Sequence, residues 1–331
     1  MFALLCSLAL ASTPDFLAWQ ADRPPGPVPS VADGYRFAHD VWADVAVAID
    51  AYPDRVETEE IGRSVGSQPI WAFHVGDPTA PVEHRVLVFG GIHALEWIST
   101  EVATDLLLEW IALPPPGIRL TVIPILNPDG RERVELDLIG GVHRYRRGNL
   151  ANVDLNRDFA VNTEARAVWR HAIPGRYAHS ATPLSQPESR ALDALVSRER
   201  YERAASLHAF GGFLYYPWSG RWARPENYGE IVRLGRAMEQ AQGDGAYRTR
   251  QLARWGFFFR AQGSEIDHLY GRYDVDSFLI ELTRSGVRLE HIGRDWGTSF
   301  RRYNPLDPGR HIARGVAALR ALASAEGWRD R

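Results

Sequence analysis

A single α/β domain, built on a mixed and mostly parallel central sheet covered by helices on both faces, is the fold this sequence predicts. Two observations predict it. Apolar runs of strand length alternate with stretches of helical period along most of the 331 residues. After the first residues no second linker, internal repeat or low-complexity block divides the chain. Length alone allows one large domain or two, and it suffices for a real core. Alternating strands and helices are the pattern of a sheet whose two faces are both covered.

The elements follow in order. Residues 1–12, Met1-Phe-Ala-Leu-Leu-Cys-Ser-Leu-Ala-Leu-Ala-Ser12, form a short apolar run ending in small residues, like a signal peptide, although no basic residue precedes it. The expectation is a secreted or periplasmic protein; if the run is only an apolar tail, the protein is cytoplasmic. Residues 13–34, with Arg23-Pro-Pro-Gly-Pro-Val-Pro29, read as an irregular or extended linker, because proline fixes φ and removes backbone donors. The main domain is expected over 35–325. It opens with a helix ending at Pro53, then strands over Val56–Arg63, Ile70–Val75 and His84–Phe89, the last closed by Gly90-Gly91. A helix over Glu96–Ala112 stops at a triple proline, and a strand over Arg119–Leu126 ends in the turn Asn127-Pro-Asp-Gly130. A helix over Ser185–Arg200 has a good N-terminal signal in Ser185, Pro187 and Glu188. There follow a strand over Arg203–His208, a helix over Asn227–Ala241, a short helix over Glu265–Tyr270, a strand over Val275–Leu282 and a closing helix over Arg310–Ala325.

Composition narrows the chemistry. With 38 basic against 41 acidic residues the formal charge is −3, and no basic run is interleaved with aromatics, so nucleic acid is not an expected partner. Every basic residue is arginine, which removes Schiff-base chemistry and lysine-bearing phosphate loops. The one cysteine, Cys6, lies in the apolar leader, leaving the rest without disulfide or thiol nucleophile. Beyond that leader no run approaches the roughly 20 apolar residues of a membrane span.

One constellation points to a metal. His93-Ala-Leu-Glu96 follows a strand end, where open α/β sheets collect ligands. A histidine and a glutamate three residues apart on a turn can offer one imidazole nitrogen and one carboxylate to a single ion. His208, ending the strand that begins near Arg203, can supply the third ligand and leave one position for water. A lone His-x-x-Glu is common by chance, so context must decide.

The context is a resemblance. Gly91-Ile-His-Ala-Leu-Glu-Trp-Ile98 resembles the zinc-binding segment of the metallocarboxypeptidase family that includes carboxypeptidases A and B. Asn127-Pro-Asp-Gly130, Asn152-Val-Asp-Leu-Asn-Arg-Asp-Phe159, Pro187-Glu-Ser-Arg190, Ser206-Leu-His208 with Tyr215-Tyr-Pro217, and Phe278-Leu-Ile-Glu-Leu282 resemble further family motifs in the right order, from Tyr35 to Ala325. The resemblance implies zinc-dependent hydrolysis of the C-terminal bond of peptides or proteins. One Zn2+ per chain would be held by His93, Glu96 and His208, and a monomer is expected.

The resemblance also implies roles. Glu281 matches the general base, which can take the proton of an attacking water and return it to the leaving amine; its bland reading is a structural acid paired with Arg284. Asp154 matches the residue that hydrogen-bonds the first zinc histidine and fixes its tautomer. Arg146, in His143-Arg-Tyr-Arg-Arg-Gly148, corresponds to the arginine that stabilises the oxyanion; Arg147 takes that role if the register slips by one. Asn156 and Arg157 match the pair that grips the terminal carboxylate. Ile266 falls at the base of the specificity pocket, implying an aliphatic or aromatic C-terminal residue unless Glu265 or Arg254 intrudes. Two positions depart from the family: Phe259 stands where a substrate-capping tyrosine is usual, and Phe210 where another tyrosine follows the third ligand. Both retain apolar area and lose a donor.

Two other readings use the same residues. A zinc amidohydrolase acting on a cell-wall γ-D-glutamyl peptide or an N-acyl amino acid would keep metal and base without needing Asn156 and Arg157 in this form. A non-catalytic carboxylate-binding module would be expected to lose a ligand or Glu281, and this chain has both.

Overall fold

Eight strands form, β2, β3, β4 and β6 among them rich in β-branched and aromatic residues: β1 (Val56–Arg63), β2 (Pro69–Val75), β3 (His84–Phe89), β4 (Ile118–Ile123), β5 (Arg203–Ala209), β6 (Phe213–Tyr216), β7 (Arg248–Gln251) and β8 (Asp276–Leu282). In this computed structural model, which describes residues 13–23, 26, 28–29, 32–164, 182–255, 260–284 and 299–328, they make one sheet in the order β1-β2-β4-β3-β5-β8-β6-β7. The four central strands β4, β3, β5 and β8 run parallel. At one side β2 joins β4 and β1 joins β2, both antiparallel; at the other, β6 is antiparallel to β8 and β7 parallel to β6. The expected mixed, mostly parallel sheet is therefore present.

The helices of the described residues are α1 (Thr13–Ala21), α2 (Ala38–Ala51), α3 (Trp97–Ala112), α4 (Pro128–Ile139), α5 (Pro187–Glu199), α6 (Tyr228–Ala241), α7 (Glu265–Tyr273), α8 (Ser299–Tyr303) and α9 (Gly309–Ser324). Both faces of the sheet are covered, as side-chain alternation along β3 makes plain. Val86 and Val88 join a core with Val41 and Trp42 of α2, Leu106 of α3 and Leu319 of α9. Leu87 and Phe89 point the other way and pack with Leu192 and Leu195 of α5 and Leu269 of α7. Each such side chain contributes about 1.5–3 kcal/mol through burial, and Leu87→Ala would cost roughly 2–5 kcal/mol because a cavity remains.

Two expectations need correcting. Residues 13–34 are not a linker throughout, because α1 occupies the first part of that stretch. Its Phe16 is wholly buried, with ring centroids 5.3 Å from Trp71 and 5.0 Å from Phe73, both edge to face. Apolar aromatic surface outweighed the nearby prolines. The expected turn at Asn127–Gly130 is the start of α4: the Asn127 carboxamide oxygen accepts from the Gly130 amide at 3.0 Å, and Pro128 sits in the first helical turn. Asparagine, proline and aspartate serve turns and helix starts alike, so the local signal was ambiguous. The short strands β6 and β7 and helix α8 were not anticipated. The leader at 1–12 lies outside the described residues, among which no helix is long and apolar enough to cross a membrane.

Candidate active site

The site begins where β3 ends. Gly91 adopts a left-handed φ of +62°, and a Cβ there would lie 3.0 Å from the Ile125 Cα, so only glycine fits this turn. The Gly91 amide donates to Ser99 Oγ at 3.0 Å, and the Asn127 amide to the Gly91 carbonyl at 3.1 Å. Asn304, between α8 and α9, holds the next stretch: its Nδ2 donates to the Leu95 carbonyl at 2.8 Å, and its Oδ1 accepts from the Ile98 amide at 3.0 Å. His93 and Glu96 are thus aimed by distant residues. His208 arrives differently, near the end of β5.

The three side chains meet. Ligand-capable atoms of His93, Glu96 and His208 all lie within 4.8 Å of one another, and all three residues are buried. The His93 Nδ1 is 3.0 Å from His208 Nδ1 and 3.0 Å from Glu96 Oε1; His208 Nδ1 is 3.4 Å from Glu96 Oε2. The far side of each ring is occupied. His93 Nε2 lies 3.0 Å from Asp154 Oδ1, and His208 Nε2 lies 2.8 Å from Glu265 Oε1 and 2.9 Å from Ser206 Oγ. Carboxylates hold the ring protons outward on Nε2, which leaves the Nδ1 lone pairs facing each other.

Electrostatics favour a cation at this point. Burial opposes charge on His208, yet Glu265 and then Glu96 push its pKa up to about 10. Burial likewise opposes charge on Glu96, but His93, His208 and Arg147 hold its carboxyl well below the usual range. Positive charge would be favoured in the gap between the rings, and a divalent ion held by His93, Glu96 and His208 would supply it. Two imidazoles and one carboxylate are a zinc donor set of the open, catalytic kind. The residues present therefore fit zinc.

Glu281 is on β8, whose register with β5 sets it opposite His208. It is partly exposed, but its Oε2 is shut from solvent and has no hydrogen-bond partner among the described residues. Burial, then the charge on Glu96, pushes its pKa up to about 8, while His208 and Arg147 pull the other way. A carboxylate so placed is available to take a proton.

The two neighbouring arginines part company. Arg147 reaches the cluster: its Nη1 donates to Glu96 Oε1 at 3.1 Å and its Nε to Asp154 Oδ2 at 2.8 Å. Arg146, expected as the oxyanion residue, instead turns onto Asp137 of α4 with a two-point pair. Adjacent residues in an extended loop point to opposite sides, which makes a one-residue slip decisive. The Ala94 amide fixes the register by donating to the Arg147 carbonyl at 3.2 Å.

Asp154 touches His93, Arg147 and, through Oδ1, the Asn156 amide at 3.0 Å. Burial works against its charge, but Arg147, His93 and Arg157 keep its carboxyl well below the ordinary range. Asn156 is buried, and its Oδ1 accepts from the Glu265 amide at 3.3 Å. Arg157 is partly exposed beside it and donates to the Asn156 carbonyl. Gly263 allows this loop to dock on α7, since its φ is +58° and a Cβ would meet the Arg157 carbonyl at 2.9 Å. Ile266 is fully buried in a small apolar cluster with Tyr215, Leu252, Ala261 and Leu279. Phe210 packs on Tyr303 with ring centroids 5.2 Å apart. Phe259 lies outside the described residues.

Several supporting residues were missed. Glu265 was noted only as a neighbour of Ile266, and Ser206 only as part of a motif. Glu188, recognised as a helix-start residue, also accepts from Asn149 Nδ2 at 3.1 Å and the Val65 amide at 3.3 Å, bracing the loop that carries Asp154. No local signal reveals the pairings of Glu265 and Glu188, because each joins residues far apart in the chain; Ser206 lies only two residues before His208, on the same strand.

Comparison with known proteins agrees with this geometry. A zinc carboxypeptidase family model matches residues 43–296, more than half of the chain. Among curated proteins, the uncharacterized protein YqgT of Bacillus subtilis is 27% identical over 227 residues, covering 58% of each chain. Zinc carboxypeptidase A 1 of Anopheles gambiae is 24% identical over 268 residues, covering 76% of this chain and 60% of its own. The chain thus spans about three fifths of the length of these two relatives. Among solved structures, bovine thrombin-activatable fibrinolysis inhibitor, in complex with tick carboxypeptidase inhibitor, superposes with a TM-score of 0.71 at 19% identity, covering 89% of this chain and 98% of that one, a likeness of fold.

Proposed function

Because this chain belongs to the zinc carboxypeptidase family, we propose that it removes residues from the C-termini of peptides or proteins by hydrolysis, with one zinc ion held by His93, Glu96 and His208. The observation that carries the reading is the convergence of those three side chains beside a carboxylate, Glu281, that has no structural partner for one of its oxygens. A bare binding module has no use for such a costly group.

Zinc, when bound, supplies Lewis acidity toward the scissile carbonyl and toward water. Glu281 takes the proton of the attacking water on its carboxylate and gives it to the departing amine. Arg147, rather than Arg146, offers its guanidinium to the negative charge that develops on the carbonyl oxygen, a role its position between Glu96 and Asp154 supports. Asp154 keeps His93 in the tautomer that presents Nδ1. Asn156 and Arg157 hold the free terminal carboxylate, the guanidinium by a two-point bond. The apolar cluster around Ile266 receives an aliphatic or aromatic terminal side chain. The apolar run at 1–12 supports a reading in which the protein acts outside the cytoplasm, as a monomer.

Incubating purified protein with a mixed peptide library and reading the products by mass spectrometry tests this directly. Progressive shortening from the C-terminus, with about one zinc per chain by metal analysis, is expected. Internal cleavage, shortening from the N-terminus alone, or full activity after exhaustive chelation would overturn the reading.

A further inference from the structure

The two histidines of the cluster are served by different kinds of element, yet each has a buried carboxylate behind it. Asp154, in a loop, stands behind His93, and Glu265, the first residue of α7, stands behind His208. We propose that Glu265 is a positioning residue for the metal: by accepting the Nε2 proton of His208 it presents the Nδ1 lone pair inward and so sets the affinity for zinc. This inference rests on the zinc reading of the same three ligands.

The placement of Glu265 is built rather than incidental. Ser264 caps α7, its hydroxyl accepting from the Asp267 amide at 3.4 Å. The Glu265 amide is spent on Asn156 Oδ1, and the Ile266 carbonyl accepts from Ser277 Oγ at 2.8 Å. These contacts fix the start of the helix so that Oε1 falls 2.8 Å from His208 Nε2. A negative charge at a helix start is favoured by the aligned peptide dipoles. Ser206 Oγ, 2.9 Å from the same nitrogen, can accept the proton too, but a hydroxyl can also donate, so it does not by itself decide the tautomer. An ionised carboxylate only accepts.

Glu265 is fully buried; its Oε1 pairs with His208, and its Oε2 finds no hydrogen-bond partner among the described residues. In the zinc-free protein that pair offsets part of the cost of burying the carboxylate, so removing the charge should lower zinc-free stability rather than raise it. A purely structural residue would lose zinc affinity only as any equally destabilising core substitution does; a positioning residue should lose more.

Zinc-free protein is prepared for wild type, Glu265→Gln, Glu265→Ala and, as references, Asp154→Asn and Leu87→Ala. Zinc affinity is measured by competition with a chelator of known strength, and the Tm of each zinc-free form by calorimetry. Glu265→Gln should bind zinc roughly tenfold more weakly and Glu265→Ala ten- to a hundredfold, as Asp154→Asn does, in line with the effect of removing a group that orients a metal ligand. The zinc-free Tm of Glu265→Gln should lie at or below that of wild type, because the buried pair with His208 is weakened. Should Glu265→Ala not fold, the isosteric glutamine variant decides alone. Zinc binding within twofold of wild type in the folded variants overturns the inference, and so does a loss of affinity no larger than that of Leu87→Ala, a substitution of the sheet core that also lowers the zinc-free Tm. If wild type itself fails to bind zinc, the metal reading falls and this inference with it; equal binding by wild type and variants removes this inference only.

Discussion

One half of the site is carried by strands and the other by loops. His208 and Glu281 sit opposite each other on β5 and β8, adjacent central strands whose ladder spacing, about 4.8 Å, is a property of the backbone itself. His93, Glu96, Arg147, Asp154 and Asn156 sit on turns, where side chains hold one another: Asn304 clamps the ligand turn, and Arg147 ties Glu96 to Asp154. The difference teaches that the proposed metal ligand and base can be placed by the fold's repetitive part, whereas the proposed oxyanion and substrate groups depend on a charged network that a single register step would rearrange.

The strand-borne half should show chemical defects without positional ones. In Glu281→Gln the amide keeps the shape and loses the proton acceptor, so kcat should fall by roughly 10²- to 10⁴-fold, with zinc content and Tm unchanged. Steady-state kinetics beside metal analysis checks this; a substantial residual rate removes Glu281 as the base. The loop-borne half should be sensitive to position along the chain. Arg147→Ala is expected to lower kcat/KM by about 10²- to 10³-fold, the usual loss for a group facing a developing oxyanion. Arg146→Ala loses only its pairing with Asp137 and should cost under about 1 kcal/mol of stability, read as a small change in Tm. Reversal of that ranking would restore Arg146 to the role first expected of it.

Substrate recognition gives a smaller effect. Amidating a peptide's C-terminus should cost about 2 kcal/mol or more in transition-state binding, because a desolvated cation loses its partner. Arg157→Ala should barely discriminate acid from amide, and the two enzymes and two substrates close a double-mutant cycle. An enzyme that cleaves both forms equally well is no carboxypeptidase. Smallest is a displacement in pH. A base works only when ionised, so raising its pKa moves the acid limb of kcat/KM upward, and activity climbs with pH until Glu281 loses its proton. Burial and Glu96 push that pKa up to about 8, while a cation seated nearby favours ionisation. The limb should thus lie between the ordinary glutamate value of about 4.3 and 8. A limb at or below the ordinary value would mean that burial does not govern Glu281.

The same division explains what could be read in advance. The central strands and their helices were legible because period and apolar runs are local properties; His208 and Glu281 stand at the ends of two of those strands, but the roles expected of them came from the resemblance of motifs. A lone His-x-x-Glu is a weak signal, so the roles of His93 and Glu96 rested on the same resemblance. Asp154, Asn156 and Arg157 were reachable as neighbours in one segment. The Arg146–Arg147 choice was not, since it turns on the Ala94 amide meeting the Arg147 carbonyl. Glu265 was hidden for a related reason: its partner His208 comes from another element, and beside Ile266 it reads as an ordinary helix-start acid. Helix α1 failed differently, because prolines that follow it dominated a reading of its local composition.

That first helix bears on how the protein behaves in solution. Phe16 packs edge to face among Trp42, Trp71 and Phe73, with Trp19 alongside at 5.9 Å from Trp42 and 5.5 Å from Trp71. A chain trimmed to begin at Tyr35 would keep every residue proposed for catalysis and still lay three large aromatic faces open together. Contiguous apolar surface of that kind is adhesive. Such a trimmed protein would self-associate at concentrations where the longer chain stays dispersed, and the short N-terminal helix would prove to be the cover that keeps a working enzyme from sticking to its own copies.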